Sequence, residues 1–278
     1  MMLTRLITKE TSYIELEEDL IEKIQEKKKI IGDFSSSKYT SYLSMIYKNN
    51  NNWYFFKENL KTIELINELL GSYMSKKINL PVVSYNIAKT KDKIGIASMN
   101  FKDNNHNYYY PDNLPININL YTITTQNIDN LQVMCMNQQN IDIFLNHLLK
   151  LLSLDLYMIQ SDRHRHNIQF SQNIKTGFFD IAPLYDFESC KKEINVNNFL
   201  IPNAIMELYL DNIKILAREY PEFYDILKEV INIDMTSEIE KIFSDYKLNQ
   251  DCSVYQKLID YYEIKQNNQR KVIKKFLK

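Results

Sequence analysis

Glycine is scarce in this chain of 278 residues, which contains only Gly32, Gly71, Gly95 and Gly177. The glycine-rich loops that cradle phosphate in dinucleotide-binding folds and in P-loop enzymes need several glycines at fixed spacing. Neither pattern occurs here. Any phosphate-binding loop must therefore be built from other residues.

Cysteine is equally rare, and long apolar runs are absent. The three cysteines, Cys135, Cys190 and Cys252, are far apart and show no CxxC spacing, which argues against a disulfide framework and a cysteine-rich zinc site. No apolar run approaches the roughly 20 residues of a membrane span, and the first residues lack the apolar core of a signal peptide. We expect a cytoplasmic protein, or a secreted effector without a signal peptide.

An excess of charge of either sign is also missing. The chain has 34 basic and 35 acidic residues and a formal net charge of −1. Such a balance creates no strong field that would attract nucleic acid or a membrane surface. The 45% of hydrophobic residues can form a sizeable core, in one large domain or in two lobes.

Hydrophobic periodicity divides the chain into a mixed first part and a helical second part. The first part is predicted to hold helices at 14–31 and 61–77 and strands at 39–47, 53–57, 82–87 and 93–101. Residues 102–125 are polar and aperiodic, and we interpret them as a connection. The second part is predicted to hold an apolar helix at 141–159, short strands at 168–170 and 176–181, and helices at 204–219, 221–232, 237–246 and 254–278.

These elements predict an α+β, bilobal fold. A small antiparallel β-sheet lobe with its helices covers 1–101, the connection covers 102–125, and a larger, mostly helical lobe covers 126–278. A cleft between two lobes is the expected place for a ligand.

Ionisable residues concentrate in 161–188. Asp162 stands five residues before Asn167, and Asp180 and Asp186 follow. Kinase catalytic loops place a base aspartate five residues before a metal-binding asparagine, and another aspartate binds metal further along. Asp162 is therefore the candidate base and Asn167 a candidate Mg²⁺ ligand. Either Asp186 or Asp180 could supply the carboxylate that Mg²⁺ accepts beside phosphate oxygens.

The histidines of this stretch allow a second interpretation. His164 and His166 would share one face of a strand and could bind a transition metal. No further cysteine or histidine lies close in sequence, so we favour the kinase-like interpretation.

The motif DRHxxN at 162–167, followed by APLYD at 182–186, resembles the HipA-like serine/threonine kinases, which share a fold with phosphatidylinositol 3- and 4-kinases. The resemblance implies a bilobal protein-kinase-like fold that uses ATP and Mg²⁺. It also implies a role for four motif residues: the catalytic base Asp162, the loop-orienting His164, and the Mg²⁺ ligands Asn167 and Asp186.

The same resemblance implies an ATP site in the first lobe. Lys57 would be the strand lysine on the ATP phosphates, paired with Glu68 on the following helix or, failing that, with Glu64. Met99 and Phe101 would lie close to the adenine and to the hinge between the lobes.

One departure from the family pattern concerns the phosphate loop, which commonly contains glycine. Here it would fall at 33–38, with Ser35, Ser36 and Ser37 as the binding residues. Autophosphorylation of a serine in this loop is inhibitory in the HipA branch, and the three serines could serve that role.

The expected function is that of an ATP- and Mg²⁺-dependent protein kinase that transfers the γ-phosphate to a serine or threonine hydroxyl of a protein substrate, and to itself. A nucleotide-binding pseudokinase that acts as a toxin, effector or interaction module is one alternative, favoured by the glycine-free loop. A lipid or small-molecule kinase of the same fold is another. An antitoxin or a host protein is a further expected partner.

Overall fold

A computed structural model describes residues 6–18, 45–49, 52–58, 60–91, 93–114, 125–160, 163, 167–188, 190, 215 and 217–276 of the chain. The strands in these ranges are β1 (Ile14–Glu15), β2 (Glu17–Glu18), β3 (Met45–Asn49), β4 (Asn52–Glu58), β5 (Tyr85–Lys89), β6 (Ile94–Met99), β7 (His106–Tyr109), β8 (Phe170–Asn173) and β9 (Phe179–Ile181). The α-helices are α1 (Thr62–Lys77), α2 (Thr125–Gln132), α3 (Gln138–Met158), α4 (Glu222–Asn232), α5 (Met235–Asp245) and α6 (Ser253–Phe276).

The first lobe is built on a six-stranded sheet with the order β1-β5-β6-β4-β3-β2. The strands β3 and β4 form the predicted antiparallel hairpin, and β4 pairs with β6 on its other side. On β4, Phe56 is fully buried and packs with Leu16, Ala88 and Ala97 on one face of the sheet. Since side chains alternate along a strand, the neighbouring Lys57 faces the other side, toward α1.

The prediction of a helix at 14–31 is wrong for its first residues. Residues 14–18 instead form two short strands, of which β1 pairs in parallel with β5 and β2 pairs with β3. Leu16 lies between them, donates its N–H to the carbonyl of Lys89 at 2.8 Å and buries its side chain in the sheet. Apolar residues at 14 and 16 fit a strand period as well as a helix, and the pairing partners decide between the two. Residues 19–31 lie outside the described ranges.

Helix α1 confirms the prediction at 61–77. Its apolar stripe, Leu65, Ile66, Leu69 and Leu70, is fully buried. One side of α1 faces the first sheet, and other parts of it pack against α3 and α5 of the second lobe. The helix therefore connects the two lobes.

The second lobe is organised around α3, which contacts α4, α6 and β9. The predicted hairpin at 168–181 is confirmed as β8 and β9. Strand β7 pairs with β8 and completes a three-stranded sheet, so the connection predicted at 102–125 contains a strand. Its hydrogen-bond partners lie more than 60 residues further along the chain, which no local pattern reveals.

The α+β, bilobal fold class is confirmed. Helices α4, α5 and α6 match the predictions at 221–232, 237–246 and 254–278 within a few residues, while most of 204–219 lies outside the described ranges. No helix in the part of the chain that the structure describes has the length and apolar character needed to cross a membrane.

Candidate active site

Lys57 is the centre of a charged cluster between the lobes. Its Nζ lies 2.5 Å from Oε1 of Glu68 on α1, 2.6 Å from Oδ1 of Asp186 and 3.1 Å from Oε2 of Glu188, both of which follow β9. The Glu68 side chain is fully buried, whereas those of Asp186 and Glu188 are 22% and 25% exposed. One ammonium group is therefore shared by three carboxylates, two of which are open to solvent.

Burial and the charges of this cluster together shift the pKa values of Lys57 and Glu188. Burial alone lowers the pKa of Lys57, but the carboxylates of Glu68 and Asp186 outweigh it and hold the pKa well above its ordinary value. Burial raises the pKa of Glu188, and the charge of Asp186 raises it further. Lys57 lowers it, but the net change in the pKa of Glu188 is a rise. Lys57 therefore stays protonated at neutral pH.

Asp186 lies on a backbone turn that buried side chains hold in place. Its φ of 64° is in the left-handed region, which aspartate adopts more readily than most residues. The N–H of Asp186 donates to Oη of Tyr85 at 3.1 Å, and its carbonyl accepts from Nε2 of Gln160 at 2.7 Å. The N–H of Phe187 donates to Oε2 of Glu68 at 2.8 Å. Glu68 thus binds both Lys57 and the backbone next to Asp186.

Arg163 links this turn to the segment around Asn167. Its Nε and Nη2 donate to the buried Asp155 at 3.0 and 3.1 Å. Its Nη1 donates to the carbonyls of Asn167 and Tyr185, both at 2.8 Å. Burial lowers the pKa of Arg163 and Asp155 raises it, with a net rise. A single guanidinium therefore holds the backbone of Asn167 beside the residue that precedes Asp186.

Lys57 is in direct contact with two other predicted site residues, Glu68 and Asp186. Glu64 is not part of the cluster, since its Oε2 accepts from the N–H of Lys61 at 2.7 Å and its Oε1 pairs with Lys61 Nζ.

Asp180 is engaged elsewhere. Both of its carboxylate oxygens lie within 3.0 Å of Nδ1 of His147. One of them also accepts from the N–H of Ile181 at 2.8 Å. The Asp180 carboxylate is therefore bound to α3, although Asp180 belongs to the same motif stretch as Asp186.

The predicted adenine residues lie at the end of β6. Met99 is 48% exposed, and the ring of Phe101 stacks on Tyr185 with 6.1 Å between the ring centroids. Asp162, His164 and the serines Ser35, Ser36 and Ser37 lie outside the described residues.

Sequence reasoning missed Glu188. An acid two positions after Asp186, with a buried phenylalanine between them, is a weak local signal, because two acids separated by one residue occur on many surfaces. The left-handed turn at Asp186 brings both carboxylates to Lys57. Tyr85 and Gln160, which bind the backbone of Asp186, had no sequence signal at all.

The cluster also has the donors for a divalent cation. Carboxylate oxygens of Glu68, Asp186 and Glu188 all lie within 4.8 Å of one another, and hard oxygen ligands suit Mg²⁺. Glu68 is fully buried and already binds Lys57 and Phe187. Asp186 and Glu188 are the two members whose side chains are partly exposed.

Comparisons with known proteins show which solved structures have a similar fold. No family model matches the chain, and no curated protein matches it in sequence. The Helicobacter pylori proinflammatory kinase CtkA superposes with a TM-score of 0.56 at 13% identity, over 84% of this chain and 89% of CtkA. HipA, solved with HipB and operator DNA from the Shewanella oneidensis MR-1 toxin–antitoxin system, superposes with a TM-score of 0.53 at 11% identity, over 78% of this chain and 57% of HipA. This chain thus spans little more than half of that HipA chain. At such identities the likeness is one of fold, a HipA-like kinase fold.

Proposed function

We propose that the chain is an ATP- and Mg²⁺-dependent serine/threonine protein kinase that transfers the γ-phosphate to a protein hydroxyl. The observation that carries the proposal is the contact of Lys57 with both Glu68 and Asp186. In active protein kinases a strand lysine pairs with a helix glutamate, and a metal-binding aspartate must be in place beside them. Here β4, α1 and the turn after β9 supply the three residues.

Each residue then has a distinct task. Lys57 binds the ATP phosphates, and Glu68 holds its ammonium group in place. Asp186 and Asn167 are the ligands for Mg²⁺, which would neutralise charge on the transferring phosphate. Asp162 accepts the proton of the acceptor hydroxyl, and His164 orients its loop.

The remaining ATP contacts follow from the same arrangement. Met99 and Phe101 lie at the end of β6, where the first lobe leads toward β7, and are assigned to the adenine. Ser35, Ser36 and Ser37 are assigned to the phosphate loop, where one of them would also be the site of autophosphorylation.

Incubation of the purified protein with radiolabelled ATP, Mg²⁺ and a cell lysate tests the proposal. The wild type should label a protein of the lysate, or itself, on serine or threonine. Asp186→Asn should reduce transfer by a factor of at least about 10², the usual size of the loss of one electrostatic group in a catalytic site. Asp162→Asn should have the same effect.

Two further variants sharpen this test. Asp142→Asn changes an exposed aspartate on α3 whose Oδ1 accepts from Gln138, and it should keep wild-type activity. Asp180→Asn decides between the two candidate metal ligands, because Asp180 is bound to His147. Loss of transfer in Asp180→Asn but not in Asp186→Asn would contradict the assignment.

A nucleotide-binding pseudokinase is the second candidate. It is favoured by Glu188, whose carboxylate lies 3.1 Å from Lys57 Nζ, in competition with any phosphate for that ammonium group. Calorimetry with ATP and Mg²⁺ separates the two candidates: tight binding without any label transfer would favour the pseudokinase.

The two similar structures also suggest which partners to look for. HipA was solved with HipB, and CtkA is described as proinflammatory. We therefore include an antitoxin or a host protein among the partners to be sought, beside the protein substrate. Affinity capture with the tagged protein, followed by mass spectrometry, would identify either one.

A further inference from the structure

The turn that carries Asp186 and Glu188 continues into a short segment held by α1. Asn67, which directly precedes Glu68, is 1% exposed. Its Nδ2 donates to the carbonyl of Glu188 at 3.1 Å and to that of Cys190 at 3.0 Å. Both N–H groups of this amide are thereby used on one segment of backbone.

The other side of the Asn67 amide is fixed from the second lobe. Its Oδ1 accepts from Oη of Tyr262 on α6 at 2.6 Å, and the Tyr262 side chain is fully buried. Burial holds the pKa of Tyr262 well above its usual value, so the phenol stays protonated and remains a donor. The Asn67 amide therefore has its orientation fixed, with oxygen toward α6 and nitrogen toward the segment.

The position of Asn67 makes this contact more than a generic core hydrogen bond. Asn67 and Glu68 are consecutive on α1, and together they bind the backbone of Phe187, Glu188 and Cys190. A shift of this segment would move the carboxylates of Asp186 and Glu188 relative to Lys57. Hydrogen bonds that orient the direct ligands of a metal typically change its affinity by about 10- to 100-fold when they are removed.

We infer that Asn67 and Tyr262 are positioning residues, which set the distance of the Asp186–Glu188 carboxylates from Lys57 and so the affinity of the site for the divalent cation. The inference rests on the proposed function for its catalytic readout. Tyr262 reaches the site only through Asn67, and α6 is thereby joined to the phosphate-binding cluster.

Tyr262→Phe is the direct test, because it removes one oxygen and keeps the ring. Tyr157→Phe is the matched control, since Tyr157 is also a fully buried tyrosine whose Oη donates to a carbonyl, that of Ile233, at 2.9 Å. Both variants should lose a similar amount of thermal stability. Only Tyr262→Phe should raise the Mg²⁺ concentration that gives half-maximal phosphate transfer, by a factor of about 10 or more, while kcat at saturating Mg²⁺ changes less.

Asn67→Asp provides a second variant of the same link. It keeps the size of the side chain and an oxygen for Tyr262, but it removes the N–H donors to the segment. It should raise the half-maximal Mg²⁺ concentration as well. Equal Mg²⁺ dependence of wild type, Tyr262→Phe and Asn67→Asp would overturn the inference.

Two readouts do not depend on phosphate transfer. Mn²⁺ binding, measured by electron paramagnetic resonance with a non-hydrolysable ATP analogue, should weaken in Tyr262→Phe and not in Tyr157→Phe. Amide exchange of a peptide covering 184–190 should also be faster in Tyr262→Phe alone. If the wild type transfers no phosphate but both differences appear, the kinase proposal fails and the positioning role stands. If neither difference appears, the positioning role fails whatever the activity.

Discussion

Gly71 lies on α1 beside the candidate site. Adding a single methyl group at this position should disturb the site. A Cβ built on Gly71 would lie 2.3, 2.5 and 2.7 Å from Cγ, Cδ1 and Cδ2 of Phe187, the residue between Asp186 and Glu188. Carbon atoms in contact are normally about 3.5–4.0 Å apart. Gly71→Ala therefore requires the ring, or the helix, to move by about 1 Å or more.

The ring of Phe187 has little room for such a movement. It is fully buried, and the guanidinium of Arg163 lies 5.0 Å from its centroid. Its N–H is bound to Glu68. A displaced ring would pull on the same backbone that places Asp186 and Glu188 at Lys57.

Two effects of opposite sign decide the change in stability. Alanine in place of glycine inside a helix stabilises by about 1 kcal/mol, whereas overpacking a core costs about 1–3 kcal/mol. Since the clash is severe, we place Gly71→Ala near the upper end of that cost, with a net loss of about 1–2 kcal/mol. At about 2–4 °C per kcal/mol for a chain of this size, Tm should fall by about 2–8 °C.

Thermal unfolding by circular dichroism and phosphate transfer, measured on the same preparations, check this expectation. Gly177→Ala is the control: its φ of 71° makes alanine strained, but no atom lies within 4 Å of the added Cβ. Both variants should be less stable than the wild type, and only Gly71→Ala should lose transfer or Mn²⁺ binding. Wild-type or higher Tm together with full activity in Gly71→Ala would refute the reasoning.

Two further substitutions test the electrostatics around the cleft. Glu188→Gln should raise the Mg²⁺ concentration that gives half-maximal phosphate transfer, because Glu188 is one of the two partly exposed acids of the cluster; a lower KM for ATP with unchanged Mg²⁺ dependence would instead make Glu188 a competitor of phosphate for Lys57. Burial lowers the pKa of Lys102 from 10.5 to about 8. Below pH 8, Lys102 is therefore charged in both the folded and the unfolded chain, and the burial of this charge destabilises the folded state to its full extent. Between pH 8 and 10.5 the folded chain loses the proton first, and wild-type stability rises. Lys102→Met should therefore have a higher Tm than the wild type at pH 7, by a margin that shrinks toward pH 10; a constant margin would contradict the lowered pKa.

Local patterns were sufficient for most elements of the fold. The apolar stripe of α1 and the strand-forming residues of β4 predict those elements within one or two positions. Apolar spacing failed at residues 14–18, where a helix and a strand period coincide. It also failed at β7, whose pairing with β8 depends on a distant part of the chain. Both errors concern edge strands, which owe their structure to a partner rather than to their own sequence.

The candidate site divides in a similar way. Asp186 could be proposed from its place in the motif stretch, and Lys57 from the resemblance to the HipA-like kinases, which places a lysine at the end of that strand. Tyr85, Gln160 and Asn67 could not, since each acts on a backbone group of the Asp186 turn and comes from an unrelated element. Any residue with a suitable donor or acceptor at those positions could make the same backbone contact. No pattern in the sequence therefore identifies these residues.

The charge balance of the cluster is the strongest physical reason to regard it as more than a structural ion pair. A buried ion pair gains little net stability even when it is neutral overall. Here Lys57 faces three carboxylates, and burial together with the charge of Asp186 raises the pKa of Glu188 although Lys57 lowers it. A purely structural role would need only Glu68, which is fully buried and already binds both Lys57 and Phe187. The two further, partly exposed acids fit the proposed Mg²⁺ site, since hard oxygen ligands suit that ion, and the Asn67 and Arg163 contacts hold the backbone around them in place.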